Sequence, residues 1–184
     1  MFTGLSAFPL TPLDDDRFDE RAYAGLIVRL VRAGVDSIGA LGSTGSYAYL
    51  DREERRRVAR TAVRSAGDTP VIVGIGALRT SHVRALARDA QEVGAAGVLL
   101  APMSYQALTD DDVFGLYEEV TAELSVPLVV YDNPGTTHFT FSNELYARIA
   151  ALPKVAAIKI PRCRWTRPPP ASTSPRSERR SPTT

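Results

Sequence analysis

Lysine is scarce in this chain: of its 22 basic residues, 20 are Arg and two, Lys154 and Lys159, are Lys. Lys159 lies in the apolar run Val155-Ala156-Ala157-Ile158-Lys159-Ile160, which reads as a strand buried on both faces. A buried amine is costly as a cation unless it is paired, and desolvation favours its neutral form. A neutral amine attacks a carbonyl to make a Schiff base. A guanidinium does not, because it stays protonated. Lys159 is therefore the candidate nucleophile. The alternative is a lysine whose stem packs along apolar surface while its amine snorkels to the rim.

Three other stretches carry residue types that could work with such an amine. Gly42-Ser43-Thr44-Gly45-Ser46 sets two hydroxyls between two glycines, offering backbone N–H and O–H donors to an anion such as a carboxylate. A plain glycine-rich turn is the competing reading, and the absence of a Gly-Lys-Ser/Thr ending excludes a P-loop. Tyr131 closes an apolar run before Asp132-Asn133-Pro134-Gly135, where its phenol either packs or relays protons beside an imine. Tyr105 follows Ala101-Pro102-Met103-Ser104 and either packs in the core or reaches a site. His82 and His138 are isolated, without metal-ligand spacing; His82 reads as surface helix.

The elements that must position these residues alternate. Apolar, β-branched runs begin near Gly4, Val35, Val71, Gly97, Pro127 and Val155. Amphipathic stretches at 19–33, 51–65, 80–93, 110–124 and 142–152 separate them. Thr109 with Asp112 resembles a capping box, and Ser142 is a natural N-cap. Strict βα alternation predicts a parallel sheet with right-handed crossovers, either open and doubly wound or part of an eight-fold barrel. No G-x-G-x-x-G follows the first strand, which argues against dinucleotide binding. In either architecture the chemistry sits at the carboxyl ends of the strands, where Ser43, Tyr105, Tyr131 and Lys159 all fall.

Composition bounds the class. The chain has 184 residues, 44% hydrophobic and 23% charged, enough for one domain with a sizeable core. It contains no apolar run long enough to cross a membrane. Its start lacks the pattern of a signal peptide. One cysteine, Cys163, excludes an internal disulfide and suits a reducing cytoplasm. A net charge of +1 gives no attraction to nucleic acid. That average conceals a break. Residues 162–184 hold six Arg and one Glu among Pro, Ser and Thr, a net +5, which leaves −4 for residues 1–161. The tail has no period and reads as disordered, or as a basic arm that binds RNA or an acidic partner. Its composition is also what a shifted reading frame of GC-rich coding would produce.

Taken in order, Gly42-Ser43-Thr44-Gly45, then Leu50-Asp51-Arg52-Glu53-Glu54-Arg55, then Tyr131-Asp132-Asn133-Pro134, then Ala157-Ile158-Lys159 resemble the dihydrodipicolinate synthase / N-acetylneuraminate lyase family of class I aldolases. The resemblance runs through residues 3–161. It implies an α/β fold of the (β/α)8 barrel type, with a C-terminal helical extension, usually tetrameric, and needing no metal or organic cofactor. It further implies that Lys159 forms the Schiff base with pyruvate or another 2-keto acid, and that Ser43 and Thr44 hold the keto-acid carboxylate. Tyr131 would shuttle protons, and Tyr105 would stand where relatives donate a tyrosine across a subunit interface.

Two positions depart from the family's pattern. Ser46 stands where Glu is frequent. Thr136 stands where dihydrodipicolinate synthases carry an Arg for the second carboxylate of their aldehyde substrate. A complete barrel needs about 250 residues. The expected organisation is therefore a partial barrel at 1–161, of about six βα units, and a separate tail at 162–184. The expected function is a cytoplasmic lyase acting on a small 2-keto acid. The alternatives are an inactive remnant of such an enzyme, exposed at its sixth strand, or a related keto-acid dehydratase.

Overall fold

A computed structural model describes residues 3–160; the expectations for 162–184 lie outside the described residues. Six parallel strands form one sheet: β1 (Ser6–Ala7), β4 (Ser37–Ala40), β5 (Val71–Gly74), β6 (Gly97–Leu100), β7 (Leu128–Tyr131) and β8 (Val155–Lys159). They lie side by side in chain order. A doubly wound sheet reverses its strand order at a switch point; this one never does, which decides for barrel-type winding. The helices α1 (Glu20–Arg32), α2 (Arg52–Ala66), α3 (Thr80–Glu92), α4 (Asp110–Thr121) and α6 (Asn143–Ala150) connect successive strands. The sequence does not indicate three small elements: the hairpin β2 (Leu13–Asp14) and β3 (Arg17–Phe18), a 3₁₀ turn at Tyr47–Tyr49, and α5 (Pro134–Thr137).

Each strand's alternating side chains divide between two layers. Val71, Val73, Val98, Leu100, Leu128 and Val130 join the main core, which also takes in Ile27, Val58, Val83, Val113 and Leu145 from the helices. Ile72, Leu99, Ala101, Val129 and Tyr131 form a second cluster on the opposite face, with Phe8 packed against it. The second face is the one that carries the site.

The helices start where their caps dictate. Asp19, Asp51, Thr109 and Ser142 each accept a hydrogen bond from the backbone N–H three residues on. At α2 the Glu54 carboxylate also accepts from the Asp51 N–H, 3.1 Å, completing a capping box. Asp51→Ala is expected to cost about 1 kcal/mol, measured as a lowered urea midpoint with an unchanged slope.

The expected burial of the sixth strand is corrected. β8 pairs with β7 on one side, and no strand covers its other side among the described residues. Ala156, Ala157, Ile158 and Ile160 are therefore exposed, and Lys159 is half-buried. An apolar composition marks what a strand is suited to face; burial also needs a neighbour.

A candidate active site at the carboxyl ends of the strands

The loop after β4 is held open by backbone geometry. Leu41, buried, takes the left-handed conformation at φ 57° and turns the chain out of the strand; Ser46, φ 54°, closes the turn. Such conformations are uncommon for residues other than glycine and cluster at functional sites. Between them Ser43 and Thr44 are exposed at the rim. The Thr11 hydroxyl donates to the Gly45 carbonyl, 2.8 Å, tying the loop down from below.

Tyr131 ends β7 almost fully buried, on the inner face. Its phenol lies 3.2 Å from Ser43 Oγ, and Asn133 Nδ2 donates to it at 3.0 Å. Lys159 is its register partner on β8. One irregularity sets this register: Leu128 pairs with Val155 but Val129 with Ala157, so Ala156 has no partner on β7. A bulge of this kind re-aims the side chains beyond it, and here it puts Ala157 and Lys159 on the inner face. Lys159 Nζ lies 4.1 Å from the Tyr131 ring centroid and 5.0 Å from that of Phe8. Lys159 forms no ion pair among the described residues. Both aromatic faces lie within the range of a cation–π contact. Below it, an apolar cavity of about 220 Å³ reaches Ser6, Phe8, Ile72, Leu99 and Val129.

Sequence reasoning singles out neither Phe8 nor Tyr47. A Cβ on Gly39 would overlap the Phe8 ring, and one on Gly42 would sit 3.0 Å from it, so two glycines of β4 and its loop admit this aromatic beside the amine. Tyr47 is buried behind Ser43, with the Arg55 guanidinium 5.3 Å from its ring centroid. Arg55 donates to the carbonyls of Gly74 (3.0 Å) and Gly76 (2.9 Å), fixing the end of β5. Burial lowers the guanidinium to about 10, partly offset by the Tyr47 phenol, so it remains a cation at neutral pH. Burial in turn raises the Tyr47 phenol, which Arg55 opposes and Tyr131 reinforces.

A second tier braces the strand ends. The Asp132 N–H donates to the Lys159 carbonyl at 3.0 Å, Tyr146 OH donates to Asp132 Oδ2 at 2.5 Å, and Tyr117 OH donates to the Leu100 carbonyl at 2.7 Å. The Tyr146 phenol is raised by burial first and by the Asp132 carboxylate second.

The structure thus brings Ser43 and Lys159 to Tyr131, and Thr44 follows Ser43 on the same loop, exposed. It does not bring Tyr105 to them: that side chain is 98% exposed on the loop after β6. His82 is exposed on α3, as the sequence suggests. No cluster of three or more His, Cys, Asp or Glu side chains suited to a metal occurs among the described residues. No helix among them is long and apolar enough to cross a membrane.

A singly wound parallel sheet of six strands in chain order, with helices between them, is the layout of part of a (β/α) barrel. The chain belongs to the Dihydrodipicolinate synthetase family, which it matches across residues 1–162. It is 32% identical to 4-hydroxy-tetrahydrodipicolinate synthase of Phenylobacterium zucineum, over 86% of this chain and 54% of that protein. Dihydrodipicolinate synthase from Agrobacterium tumefaciens superposes with a TM-score of 0.84 at 50% identity, over 87% of this chain and 55% of the other. The chloride-inhibited dihydrodipicolinate synthase from Acinetobacter baumannii, complexed with pyruvate, superposes at 0.83 with 30% identity, over 87% and 56%. The chain therefore spans about half the length of the relatives it matches.

Proposed function

We propose that this chain carries the keto-acid half of a class I aldolase-type lyase, with Lys159 as the Schiff-base nucleophile towards pyruvate or another 2-keto acid. The observation that carries the reading is the Lys159–Tyr131–Ser43 array: amine 4.1 Å from the ring, phenol 3.2 Å from the hydroxyl. The amine attacks the keto carbon and water leaves. The resulting iminium draws electrons from the adjacent carbon, so that a proton there is lost and an enamine forms. Tyr131 is the proton carrier, and Ser43 is the hydroxyl through which a proton passes towards the rim. Ser43 and Thr44 hold the carboxylate. A structural relative bound to pyruvate supports this choice of keto acid. The single cysteine supports a reducing, cytoplasmic setting. Tyr105 would act on a second copy of the chain, a reading that its exposure supports.

The test uses the proton step alone and needs no aldehyde. In D₂O the chain is expected to exchange the methyl protons of pyruvate for deuterium, followed by proton NMR. Tyr131→Phe is expected to slow this exchange by about 10²–10⁴-fold, the usual worth of a positioned acid–base group. Exchange at the buffer rate in folded, unsubstituted protein would contradict the proposal. A second reading is a site that forms no Schiff base, favoured by the β8 edge that no strand covers among the described residues and that leaves Lys159 half-buried; it predicts no exchange at all.

A further inference from the structure

Lys159 Nζ sits over two ring faces, 4.1 Å from the Tyr131 centroid and 5.0 Å from that of Phe8. The Schiff-base reading uses the Tyr131 phenol and leaves Phe8 without a part. Yet the chain makes room for this ring at the amine. A Cβ on Gly39 would overlap it, and one on Gly42 would stand 3.0 Å away. Phe8 packs against the inner-face cluster of Ile72, Leu99, Ala101, Val129 and Tyr131. With Lys159 it also lines the apolar cavity below the amine. No carboxylate forms an ion pair with Lys159 among the described residues. A cation on this nitrogen therefore meets ring faces and no paired carboxylate.

Resting on the Schiff-base reading above, we propose that Phe8 belongs to the reaction centre, and that its ring face, together with that of Tyr131, holds the iminium cation. As the amine nitrogen bonds to the keto carbon, one proton is taken up and the keto oxygen leaves as water. The nitrogen is then a positively charged C=N–H. The ammonium form of the free side chain has three N–H donors for water to satisfy. The iminium keeps one, so it is less well hydrated and depends more on the groups around it. Attraction between a cation and a ring face is strongest where water is withdrawn, and the apolar cavity beside Phe8 and Lys159 supplies that setting. The ring thus favours the iminium over the ammonium. The enamine that forms next is neutral. Phe8 therefore acts on the capture of the keto acid and not on the proton loss that follows.

The test replaces Phe8 alone by pentafluorophenylalanine, which keeps the shape of the ring while the fluorines reverse the polarity of its face. The pyruvate concentration that half-saturates borohydride trapping on Lys159 is expected to rise about three- to tenfold. The rate of deuterium exchange at saturating pyruvate is expected not to fall. Phe8→Leu, apolar but without a ring face, is expected to show the same split between capture and turnover. Should Phe8→Leu fail to fold, the fluorinated ring carries the test, because it leaves the packing in place. An unchanged half-saturating concentration in the fluorinated protein overturns the inference. So does a fall in its exchange rate at saturation, which would mean that Phe8 only packs and that disturbing it displaces the amine. Absence of trapping on Lys159 in the unsubstituted chain overturns the Schiff-base reading itself, and this inference with it.

Discussion

Lys159→Arg is expected to abolish both the deuterium exchange of pyruvate and its capture on the protein, a loss of at least about 10³-fold in rate. Arginine keeps the charge and most of the stem, so it preserves the position over the Tyr131 and Phe8 rings. It removes the one property the chemistry needs, an amine that can lose a proton and attack. Because β8 is half open to solvent, the larger head group can be accommodated, and the melting curve should stay close to that of the unsubstituted chain. A general loss of structure would lower the melting transition too; a specific loss of the nucleophile would not. Residual exchange in Lys159→Arg within tenfold of the parent would move the nucleophile elsewhere, and Lys154 is the other lysine available.

Gly74→Ala is expected to be the most damaging small change to the fold. Gly74 is the last residue of β5, in a fully buried strand. A Cβ there would overlap the Leu41 carbonyl oxygen and sit 2.8 Å from the carbonyl carbon. These are backbone atoms of a residue already in the left-handed region, so nothing can rotate away. Relief requires the end of β4 to separate from β5, which would disturb the Gly42–Ser46 loop and loosen the Arg55 bond to the Gly74 carbonyl. Overpacking against a side chain costs about 1–3 kcal/mol, and an unyielding backbone places this one at the top of that range, about 3 kcal/mol. Urea unfolding followed by circular dichroism measures it; a midpoint within error of the parent would mean that β4 and β5 are not held as closely as described.

The two effects separate what a reader of the sequence can see from what only packing reveals. Continuous β-branched runs such as Val71–Gly74 and Leu128–Tyr131 announce buried parallel strands, and the capping residues Thr109 and Ser142 mark helix starts that the structure reproduces. The hairpin at Leu13–Phe18 is not legible, because two-residue strands carry no period. Pro134–Thr137 is not legible as a helix, because Pro-Gly reads as a turn. The depth of β8 is misjudged from its apolar residues alone, since burial depends on a neighbouring strand. At the site, Lys159, Tyr131 and Ser43 stand out by residue type. Phe8 does not: its place beside the amine depends on Gly39 and Gly42, which are distant in sequence. The Ala156 bulge, which decides that Lys159 faces Tyr131 at all, is a property of pairing between β7 and β8.

The central claim is that Lys159 is a carbonyl-reactive amine, and reductive trapping tests it most directly. The full chain is incubated with pyruvate, reduced with borohydride, digested, and mapped by mass spectrometry. The account predicts one carboxyethyl group, on Lys159, absent when pyruvate or reductant is omitted and absent in Lys159→Arg. Folded protein that carries no adduct, or carries it on Lys154 to the same extent, would contradict the assignment of Lys159 as the nucleophile.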